Sequence, residues 1–568
     1  MIKMTIGLVK ISCVNDRLIP LGLACLQAYL KANDVEVKVF NFRTDEYSLP
    51  KVASDPLIQL EPPTFIMNHQ DFPLLVPIVD KIMKGSEINL NKGIFRDIIK
   101  DFSQRLKEES SITQTRFENI IEYVKTIIPK LQSTCDSIGF SLNYLNIPET
   151  VIASSFIKRF TPEIKILWGG PTITQSKDIF KLLLKKGICD GLVVGEGETP
   201  LLEFAHGNEL GSIPGVMTMK NSSEFIYSPG IQLDLDSLPT PDYTDIPLDT
   251  YFKIASVYRS RGCTHRCKFC AEWKLFGRRF RVRSVPKVIQ DIQTIIKTAN
   301  PEFIIFGESL INDDLLYFEQ LCDALIEKQF NISFGTHFRA NITPELAKKA
   351  YLAGFNDAWV GFEAFSDKDL KEMNKGTSVN QNITTIKNLT QAGINVIAML
   401  VVGFSNLEEE EKNCSNIVDT INYFSKERVI KSEGISVPIS IQWRPAPMFI
   451  VPSSFDYNEK KSSADIWSWK CTDVSYDNRA EITQLEHELS EIPYEFRRPI
   501  TDMTVGLLMK RIQEADRISN FAIGGLMKHI VDYLMSSRRK GRKLRKQNRI
   551  GVNAQRYGQE VVKNLNQP

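Results

Sequence analysis

Short apolar runs alternate with segments of helical spacing over the first 240 residues of the chain. Thr5 to Lys10 and Val35 to Phe40 are rich in β-branched and aromatic residues, and Leu21 to Ala32 between them has helical apolar spacing. The alternation returns as strands Ser137 to Leu142, Ile164 to Trp168 and Gly191 to Val194, with helices from about Pro148 to Arg159 and from Ser176 to Lys186. This pattern predicts an α/β domain with a parallel, doubly wound sheet, whose ligand crevice lies beyond the carboxyl ends of the strands.

An insertion of about residues 48–133 separates the two halves of this pattern. Asn91 to Gln132 combines helical periodicity with many charges, which predicts two or three amphipathic helices. A cap that stabilises the sheet edge and a lid over a substrate are both compatible with such helices. The proline-rich stretch Leu235 to Asp242 reads as a linker, so we place the first domain at residues 1–240.

A second alternating pattern occupies residues 241–453 and contains six β-rich runs. The runs are Ile254 to Tyr258, Phe303 to Phe306, Ile332 to Phe334, Ala358 to Phe362, Val396 to Val402 and Ile435 to Ile441. Helical segments begin between them, near Val285, Asp313, Thr343, Val379 and Leu407. Six such units suit a partial (β/α)6 barrel, with its chemistry on loops at the carboxyl ends of the strands.

Residues 454–568 lack this alternation. Thr501 to Met535 has helical spacing, so we expect a mostly helical C-terminal domain. Arg538 to Arg549 then holds eight basic residues in twelve. Such a run is typical of a solvated tail, and docking to an acidic partner is the alternative.

The bulk composition is that of an ordinary globular protein, with 43% apolar and 24% charged residues in 568, enough for two or three domains. Its formal charge of +2 gives no global attraction to nucleic acid, which is not an expected partner. The longest apolar stretch, Ala392 to Phe404, is interrupted by Asn395 and is far shorter than the roughly 20 residues of a membrane helix. Ten cysteines in a chain without a secretory signal predict reduced thiols and a cytoplasmic location.

Three of those cysteines, Cys263, Cys267 and Cys270, are spaced C-x3-C-x2-C directly after the first β-rich run of the second region. Cysteine sulfur is the ligand of iron-sulfur clusters, and a 4Fe-4S cluster held by three cysteines keeps one iron open for a non-protein ligand. A zinc knuckle is the competing interpretation, but structural zinc takes four protein ligands. The other seven cysteines are scattered singly, which leaves only His265 or a remote group as a fourth ligand.

The cysteine motif, with Arg261 and Gly262 before it and Phe269 before its last cysteine, resembles the radical S-adenosylmethionine (radical SAM) superfamily. In that family the open iron chelates the amino and carboxylate groups of S-adenosylmethionine. The resemblance continues through the segments FRANITPELAKKAYLAGF, WVGFEAFSDKDLKEMNKG and AGINVIAMLVVGF. It implies S-adenosylmethionine contacts at Phe269, Gly307, Glu308, Arg339, Glu363 and Gly403.

Three of these contacts have specific roles implied by the resemblance. Glu308 would receive the ammonium group, Arg339 the methionine carboxylate, and Glu363 a ribose hydroxyl. For each charged side chain, a surface charge or a buried salt bridge is the competing account.

The strand-end loops of the first domain resemble the cobalamin-binding domain that precedes many radical SAM domains, over residues 4–45 and 134–210. The implied cobalamin contacts are Leu21, Gly22, Ser141, Asn143, Gly169, Gly170, Pro171, Gly195, Glu196, Gly197 and Glu198. Glycines there would let the backbone approach a large flat ligand closely, although a single glycine at a strand end is more often ordinary turn chemistry. The motif D-x-H-x-x-G does not occur, so the resemblance assigns no lower axial ligand to the cobalt.

These resemblances imply three cofactors: a 4Fe-4S cluster, S-adenosylmethionine and cobalamin. The implied function is radical methylation of an unactivated carbon or phosphorus centre in a peptide or small molecule, with a reductant such as flavodoxin or ferredoxin as partner. A cobalamin-associated radical enzyme that catalyses a rearrangement, cyclisation or oxidation without methyl transfer is the nearer alternative. A non-catalytic metal-binding adaptor is the more distant one.

Overall fold

A computed structural model describes most of the chain as far as residue 447. It covers residues 4–12, 19–43, 78–85, 104–143, 146–276, 279–402, 407–430 and 436–447. The described residues up to Pro247, with the short segment that begins at Lys274, form one compact unit, and the remainder form a second. The predicted C-terminal domain, its basic tail and Gly403 lie outside the described residues.

The first unit is organised around a seven-stranded sheet. Its strands are β1 (Thr5–Ser12), β2 (Glu36–Arg43), β3 (Ser137–Ser141), β4 (Lys165–Gly169), β5 (Gly191–Val193), β6 (Val216–Met219) and β7 (Phe225–Tyr227). The order is β2-β1-β3-β4-β5-β6-β7, with β1 to β5 parallel. The prediction of a parallel α/β sheet is thus confirmed for five strands.

The last two strands of this sheet depart from the prediction, because β6 and β7 are antiparallel and make the sheet mixed. Their runs of four and three residues are too short for a strand pattern to show in the sequence. The turn between them is fixed locally, since Asn221 Oδ1 accepts hydrogen bonds from the backbone of Ser223 and Glu224.

The helices of the first unit connect its strands. They are Leu21–Ala32, Gln104–Gln132, Ile147–Phe160, Pro171–Lys185 and Glu198–Ala205, and residues 78–84 are also helical. The helix predicted to begin at Ser176 begins at Pro171 instead, because proline suits the first helical turn, where its missing N–H needs no partner. In the described part of the chain, no helix has both the length and the apolar character needed to cross a bilayer.

In the described part of the insertion, residues 78–84 are helical and one long helix spans Gln104–Gln132, and residues 91–103 of the stretch predicted to hold two or three helices lie outside the described residues. This helix lies in the chain between the parallel strands β2 and β3, and its residues Phe117, Val124 and Leu131 are fully buried in the core of the unit. A seven-residue spacing keeps these three side chains on one helical face. This helix is therefore the crossover connection between two parallel strands, and one of its faces contributes side chains to the core.

The second unit contains β8 (Ile254–Val257), β9 (Ser260–Arg261), β10 (Arg281–Val282), β11 (Phe303–Phe306), β12 (Ser333–Phe338), β13 (Phe355–Glu363), β14 (Asn395–Val402), β15 (Arg428–Ile430), β16 (Ser436–Pro438) and β17 (Ile441–Pro447). Six of them form a sheet in the order β8-β11-β12-β13-β14-β17, and every neighbouring pair is parallel. The intervening helices are Val285–Ala299, Leu315–Lys328, Pro344–Leu352, Asp367–Glu372, Val379–Ala392 and Leu407–Phe424, and a short helix, Glu272–Leu275, follows the cysteines.

The sixth strand of this sheet was predicted at the wrong place. Ile435 to Ile441 was expected to supply it, but β16 pairs antiparallel with β15, and β17 joins the sheet beside β14. Pro445 and Pro447 argue against a strand in the sequence. They are tolerated because β17, among the described strands, has β14 as its one neighbour, and an edge strand needs no donor on its outer side.

An aromatic cluster packs the first helices of the second unit onto its sheet. Phe318 of the helix Leu315–Lys328 packs against Phe338 and Phe355, and Phe355 also packs against Phe306, Phe334 and Phe338, with ring centroids 5.4 to 6.4 Å apart in these pairs. Such pairs add about 0.5–1.5 kcal/mol each beyond the burial of their area. They fix the strands whose carboxyl ends carry the candidate site.

Candidate functional site

The cysteine loop follows β8 and β9 at the carboxyl end of the second sheet. It begins at Gly262, whose φ of 98° favours glycine. A Cβ at this position would lie 2.9 Å from the carbonyl oxygen of Arg279, so any other residue would collide with backbone. The backbone N–H of Cys270 donates to the carbonyl of Cys267 at 3.2 Å, which closes a turn between these two thiols.

The loop is also fastened to the segment after β13. The backbone N–H of Lys268 donates to the carbonyl of Met373 at 2.9 Å, and the amide of Asn374 donates to the carbonyl of Arg266 at 2.8 Å. Phe269 packs against the buried cluster of Ala364, Leu370 and Met373. The aromatic residue of the motif therefore anchors the loop in the protein.

The three thiols are kept from solvent to different degrees. Cys267 is buried, and Cys263 and Cys270 are half-buried. Burial raises the pKa of Cys270 to about 12 and that of Cys263 above its usual range, and the charges of neighbouring cysteines and of Glu272 act in the same direction. Thiolates in such surroundings need a cation to stabilise them, which is what a cluster iron supplies.

The donor set therefore fits an iron-sulfur cluster in its chemistry. Within the described ranges, no group of three or more His, Cys, Asp or Glu side chains already has an arrangement that could hold a metal ion. The ligand role of Cys263, Cys267 and Cys270 therefore stays a prediction. His265, the zinc alternative's fourth ligand, has Nε2 2.9 Å from Oδ1 of Asp313.

Glu308 lies in the loop after β11 and forms a buried salt bridge, which was the competing account for this residue. Its carboxylate accepts from Nε of Arg259 at 3.0 Å and from the backbone N–H of Arg259 at 2.5 Å, and both side chains are fully buried. Burial raises the pKa of Glu308 to about 7, against the lowering effect of the Arg259 guanidinium and nearby backbone donors. The neighbouring Gly307 donates its N–H to the carbonyl of Val257 at 2.7 Å, which ties this loop to the end of β8.

Arg339 and Glu363, predicted from separate strands, are brought together by Lys375. Nζ of Lys375 donates to Oε1 of Glu363 at 2.8 Å, and the guanidinium of Arg339 donates to the carbonyl of Lys375. All three residues are buried. Sequence reasoning missed Lys375, although it lies in the quoted segment that follows Glu363 and could have been nominated as a cation for that carboxylate.

The backbone of Glu363 is strained. Its φ of 64° lies in the left-handed region, where a residue with a side chain is held at a cost of about 1–3 kcal/mol. The salt bridge to Lys375 fixes the side chain in that conformation. Strain of this kind clusters at ligand sites, which supports a functional role for Glu363.

Glu272 and Ser309 form a further pair that sequence reasoning missed. Oγ of Ser309 donates to Oε2 of Glu272 at 2.8 Å, and the backbone N–H of Glu272 lies 3.4 Å from Sγ of Cys270. Burial raises the pKa of Glu272, and the hydrogen bond from Ser309 opposes this effect. An acidic residue two positions after the last cysteine of the motif was the available signal.

In the first unit, the predicted cobalamin contacts lie at the carboxyl ends of parallel strands. Gly170 has a φ of 103°, and a Cβ there would lie 2.5 Å from the carbonyl oxygen of Leu142. The N–H of Leu142 donates to the carbonyl of Gly169 at 2.8 Å. The loops after β3 and β4 are therefore in backbone contact, and Pro171 begins the helix that follows.

The loop after β5 is held by the two neighbouring helices. The N–H of Gly195 donates to Oγ1 of Thr174 at 2.9 Å, and a Cβ on Gly197 would lie 3.1 Å from Leu26. Glu196 is half-buried in this loop, and Glu198 is buried in the first turn of its helix. In the loop after β3, the side chain of Asn146 donates to the carbonyl of Ser141 and accepts from the N–H of Asn143.

At the start of the first helix, Gly22 is exposed, with nothing within 4 Å of an added Cβ, and Leu21 is half-buried. The structure thus gathers the predicted residues at one edge of the sheet but leaves their ligand role as a prediction.

Residues 257–414 match the family model of the radical SAM superfamily. This stretch contains the cysteine loop and strands β11 to β14, so the resemblance found in the sequence is confirmed here. Over these residues the chain is similar to radical SAM domains, a class whose cofactors are S-adenosylmethionine and a 4Fe-4S cluster.

Particular relatives extend the match beyond this domain. An uncharacterized methyltransferase of Pyrococcus horikoshii is 24% identical over 306 residues, which cover 52% of this chain and 65% of that protein. The anaerobic magnesium-protoporphyrin IX monomethyl ester cyclase of Rubrivivax gelatinosus is 27% identical over 271 residues, or 44% of this chain and 47% of that protein. The chain thus spans about half to two thirds of the length of these relatives.

A solved structure of similar fold is the radical S-adenosylmethionine methyltransferase TsrM from Kitasatospora setae, with cobalamin and a [4Fe-4S] cluster bound. It superposes with a TM-score of 0.52 at 12% identity and covers 81% of this chain and 75% of its own. At this identity the likeness shows the fold.

Proposed function

We propose that this protein is a radical SAM enzyme that uses cobalamin to methylate an unactivated carbon or phosphorus centre of a peptide or small molecule. The observation that carries the proposal is the cysteine loop at the carboxyl end of β8, inside the matched radical SAM domain. Parallel α/β folds present their chemistry at this end of their strands. A reductant of the flavodoxin or ferredoxin type would supply the electron.

Cys263, Cys267 and Cys270 would hold the cluster through their sulfurs. When bound, the cluster supplies the electron that cleaves S-adenosylmethionine, and cobalamin supplies a carrier for a methyl group. Arg339 offers a guanidinium to a carboxylate, and Glu363, held by Lys375, offers a carboxylate oxygen to a hydroxyl. These residues are buried, so they are pre-organised and shielded from water.

The first unit is proposed as the cobalamin-binding domain and the second as a partial barrel. Two features of the first unit support its role. Its parallel strands follow the order β2-β1-β3-β4-β5, which reverses direction between β1 and β3, the point at which sheets of this kind bind ligands in a crevice outside their carboxyl ends. Gly170 allows backbone to approach closely beside that crevice. The fold likeness to a cobalamin-containing methyltransferase supports the same assignment.

A second candidate function is a radical cyclisation or oxidation without methyl transfer. The relative named a cyclase favours it, since it is as similar to this chain as the relative named a methyltransferase. The mass of the product distinguishes the two, because only the first function adds a methyl group.

The test is an anaerobic preparation of the full chain whose iron and corrinoid contents are measured, followed by reduction in the presence of S-adenosylmethionine. We expect cluster iron, bound corrinoid and formation of 5'-deoxyadenosine. Cys267→Ala should lose the iron and the activity, and Cys414→Ala, a cysteine outside the motif, should keep both. Retention of iron and activity by Cys267→Ala would overturn the proposal.

A further inference from the structure

We infer that Glu272, oriented by Ser309, accepts the hydrogen bond from the amino group of S-adenosylmethionine, the role that the family resemblance gives to Glu308. The inference rests on the proposed function, since it concerns the binding of that cofactor. It names a binding residue that neither the motif nor the matched family identifies.

Both carboxylate oxygens of Glu308 already accept hydrogen bonds from Arg259. Arg259 donates to one of its carboxylate oxygens through Nε and to the other through its backbone N–H. Neither side chain has any exposed surface, so a ligand amino group has no approach to this carboxylate. Breaking such a pair to admit a ligand would leave the Arg259 guanidinium buried without its partner.

Glu272, unlike Glu308, has a carboxylate oxygen that can accept a further hydrogen bond. Among the described residues, its carboxylate receives one hydrogen bond, from Ser309 to Oε2, and pairs with no lysine or arginine. Its Oε1 is therefore open to a donor from that part of the chain or from a ligand. A half-buried carboxylate without a cation is costly, and a ligand carrying N–H donors and positive charge relieves that cost.

Glu272 lies beside both the cysteine loop and the loop after β11. The backbone N–H of Glu272 lies 3.4 Å from Sγ of Cys270, so the residue is fixed beside the cysteine loop. Ser309 comes directly after Glu308, on the same loop after β11 that the resemblance nominates. Glu272 and Glu308 are thus alternative acceptors at the same site, where the amino acid portion of the ligand is expected to bind.

The experiment measures binding of S-adenosylmethionine to the anaerobically reconstituted full chain, by equilibrium binding of the labelled compound and by the change it causes in the spectrum of the reduced cluster. The probe for comparison is methylthioadenosine, which keeps the adenosine portion but lacks the part of S-adenosylmethionine that carries the α-amino and carboxylate groups. Iron content and thermal midpoint are recorded for every variant.

For Glu272→Gln we expect S-adenosylmethionine affinity to fall by about 10- to 100-fold, as for loss of a hydrogen bond to a charged group. Affinity for methylthioadenosine and the iron content should stay at the wild-type values. Ser309→Ala should weaken the same binding by a smaller factor, and Glu272→Asp should restore part of it. Glu345→Gln, a change at an exposed carboxylate of the same unit, is the matched control.

Wild-type affinity in Glu272→Gln would overturn the inference and leave the proposed function standing. A larger loss of binding in Glu308→Gln than in Glu272→Gln, in protein of equal iron content, would return the role to Glu308. If the wild-type protein holds a cluster and binds no S-adenosylmethionine, the proposed function fails together with the inference.

Discussion

The carboxyl ends of the strands are built differently in the two units. In the first unit the loops meet through backbone, as where Gly170 lies against Leu142. In the second unit they carry buried ion pairs, Arg259 with Glu308 after β8 and β11, and Lys375 with Glu363 after β13. The first arrangement lets two neighbouring backbone segments touch, and the second places fixed charge at the strand ends.

The difference indicates what kind of ligand each edge suits. Buried ion pairs contribute little net stability compared with apolar residues of the same shape, so their presence at three strand ends points to positioning of charged groups. Glycine at a positive φ is costly to replace, and at Gly170 it allows the close approach of the Leu142 backbone. The proposed function assigns the charged amino acid portion of S-adenosylmethionine to the second unit and the corrin ring to the first.

The largest expected effect comes from breaking the ion pair at Arg259. Arg259→Met leaves Glu308 buried without its cation, which should lower the free energy of unfolding by about 3–5 kcal/mol. Denaturant unfolding of the full chain measures it. The double variant Arg259→Met with Glu308→Gln should recover part of the loss, because no uncompensated charge is then buried. A loss of less than about 1 kcal/mol in Arg259→Met would show that the pair is not buried as described.

The next effect is a pH dependence of stability. Because the pKa of Glu308 is raised from 4.5 to about 7 in the folded protein, the folded state keeps a proton that the unfolded state has lost between these values. The free energy of unfolding should therefore fall as pH rises through this window, by up to about 1.4 kcal/mol per pH unit. Below pH 4.5 both states are protonated, and this contribution is fully present.

Glu308→Gln isolates this contribution, because the amide does not titrate. The difference in unfolding free energy between wild type and variant should change between pH 4.5 and 7 and be constant below that range. A constant difference across the whole range would mean that folding leaves the pKa of Glu308 unshifted, and a difference that changes only below pH 4.5 would mean that Arg259 lowers it.

Local signals in the sequence predicted much of the second unit. The helices after Thr343 and Ser378 begin at the residues expected, because each cap side chain accepts a hydrogen bond from a backbone N–H within its own first turn. The position of the cysteine loop was likewise predicted from a local signal, the spacing of Cys263, Cys267 and Cys270. The sixth strand was misplaced because its partner β14 is remote in sequence, so neither its register nor its tolerance of proline is encoded locally.

The candidate site shows the same division. Arg339 and Glu363 could be nominated because strand ends are readable from apolar runs. Their union through Lys375 and the pairing of Glu308 with Arg259 depend on contacts between segments 12 to 49 residues apart. Whether a carboxylate binds a ligand or a neighbouring arginine is decided by such contacts, which no single segment specifies.

A smaller effect is expected where a glycine faces backbone in the first unit. Gly170→Ala forces a side chain into a φ of 103° and places its Cβ 2.5 Å from the carbonyl of Leu142, which should cost about 2 kcal/mol. Gly187→Ala is the matched control, since φ is 73° there and nothing lies within 4 Å of the added atom. The free energy of unfolding should fall further in Gly170→Ala than in Gly187→Ala, whose loss measures the conformational cost alone. Bound corrinoid should decrease only in Gly170→Ala. Equal losses would show that close approach at Gly170 plays no part.

The smallest effect on stability is expected at Gly361, because the glycine there faces charged side chains. A Cβ on Gly361 would contact Oε1 of Glu363 and lie 3.0 Å from Nζ of Lys375. These atoms end flexible side chains and can shift, so Gly361→Ala should cost less than about 1 kcal/mol. The displaced Glu363 carboxylate should nonetheless weaken S-adenosylmethionine binding several-fold, because a positioned acceptor loses its geometry. Binding of the labelled compound, measured at equal iron content, checks this. If affinity is unchanged while the salt bridge is displaced, Glu363 does not contact the ligand, and the charge at this strand end serves the protein alone.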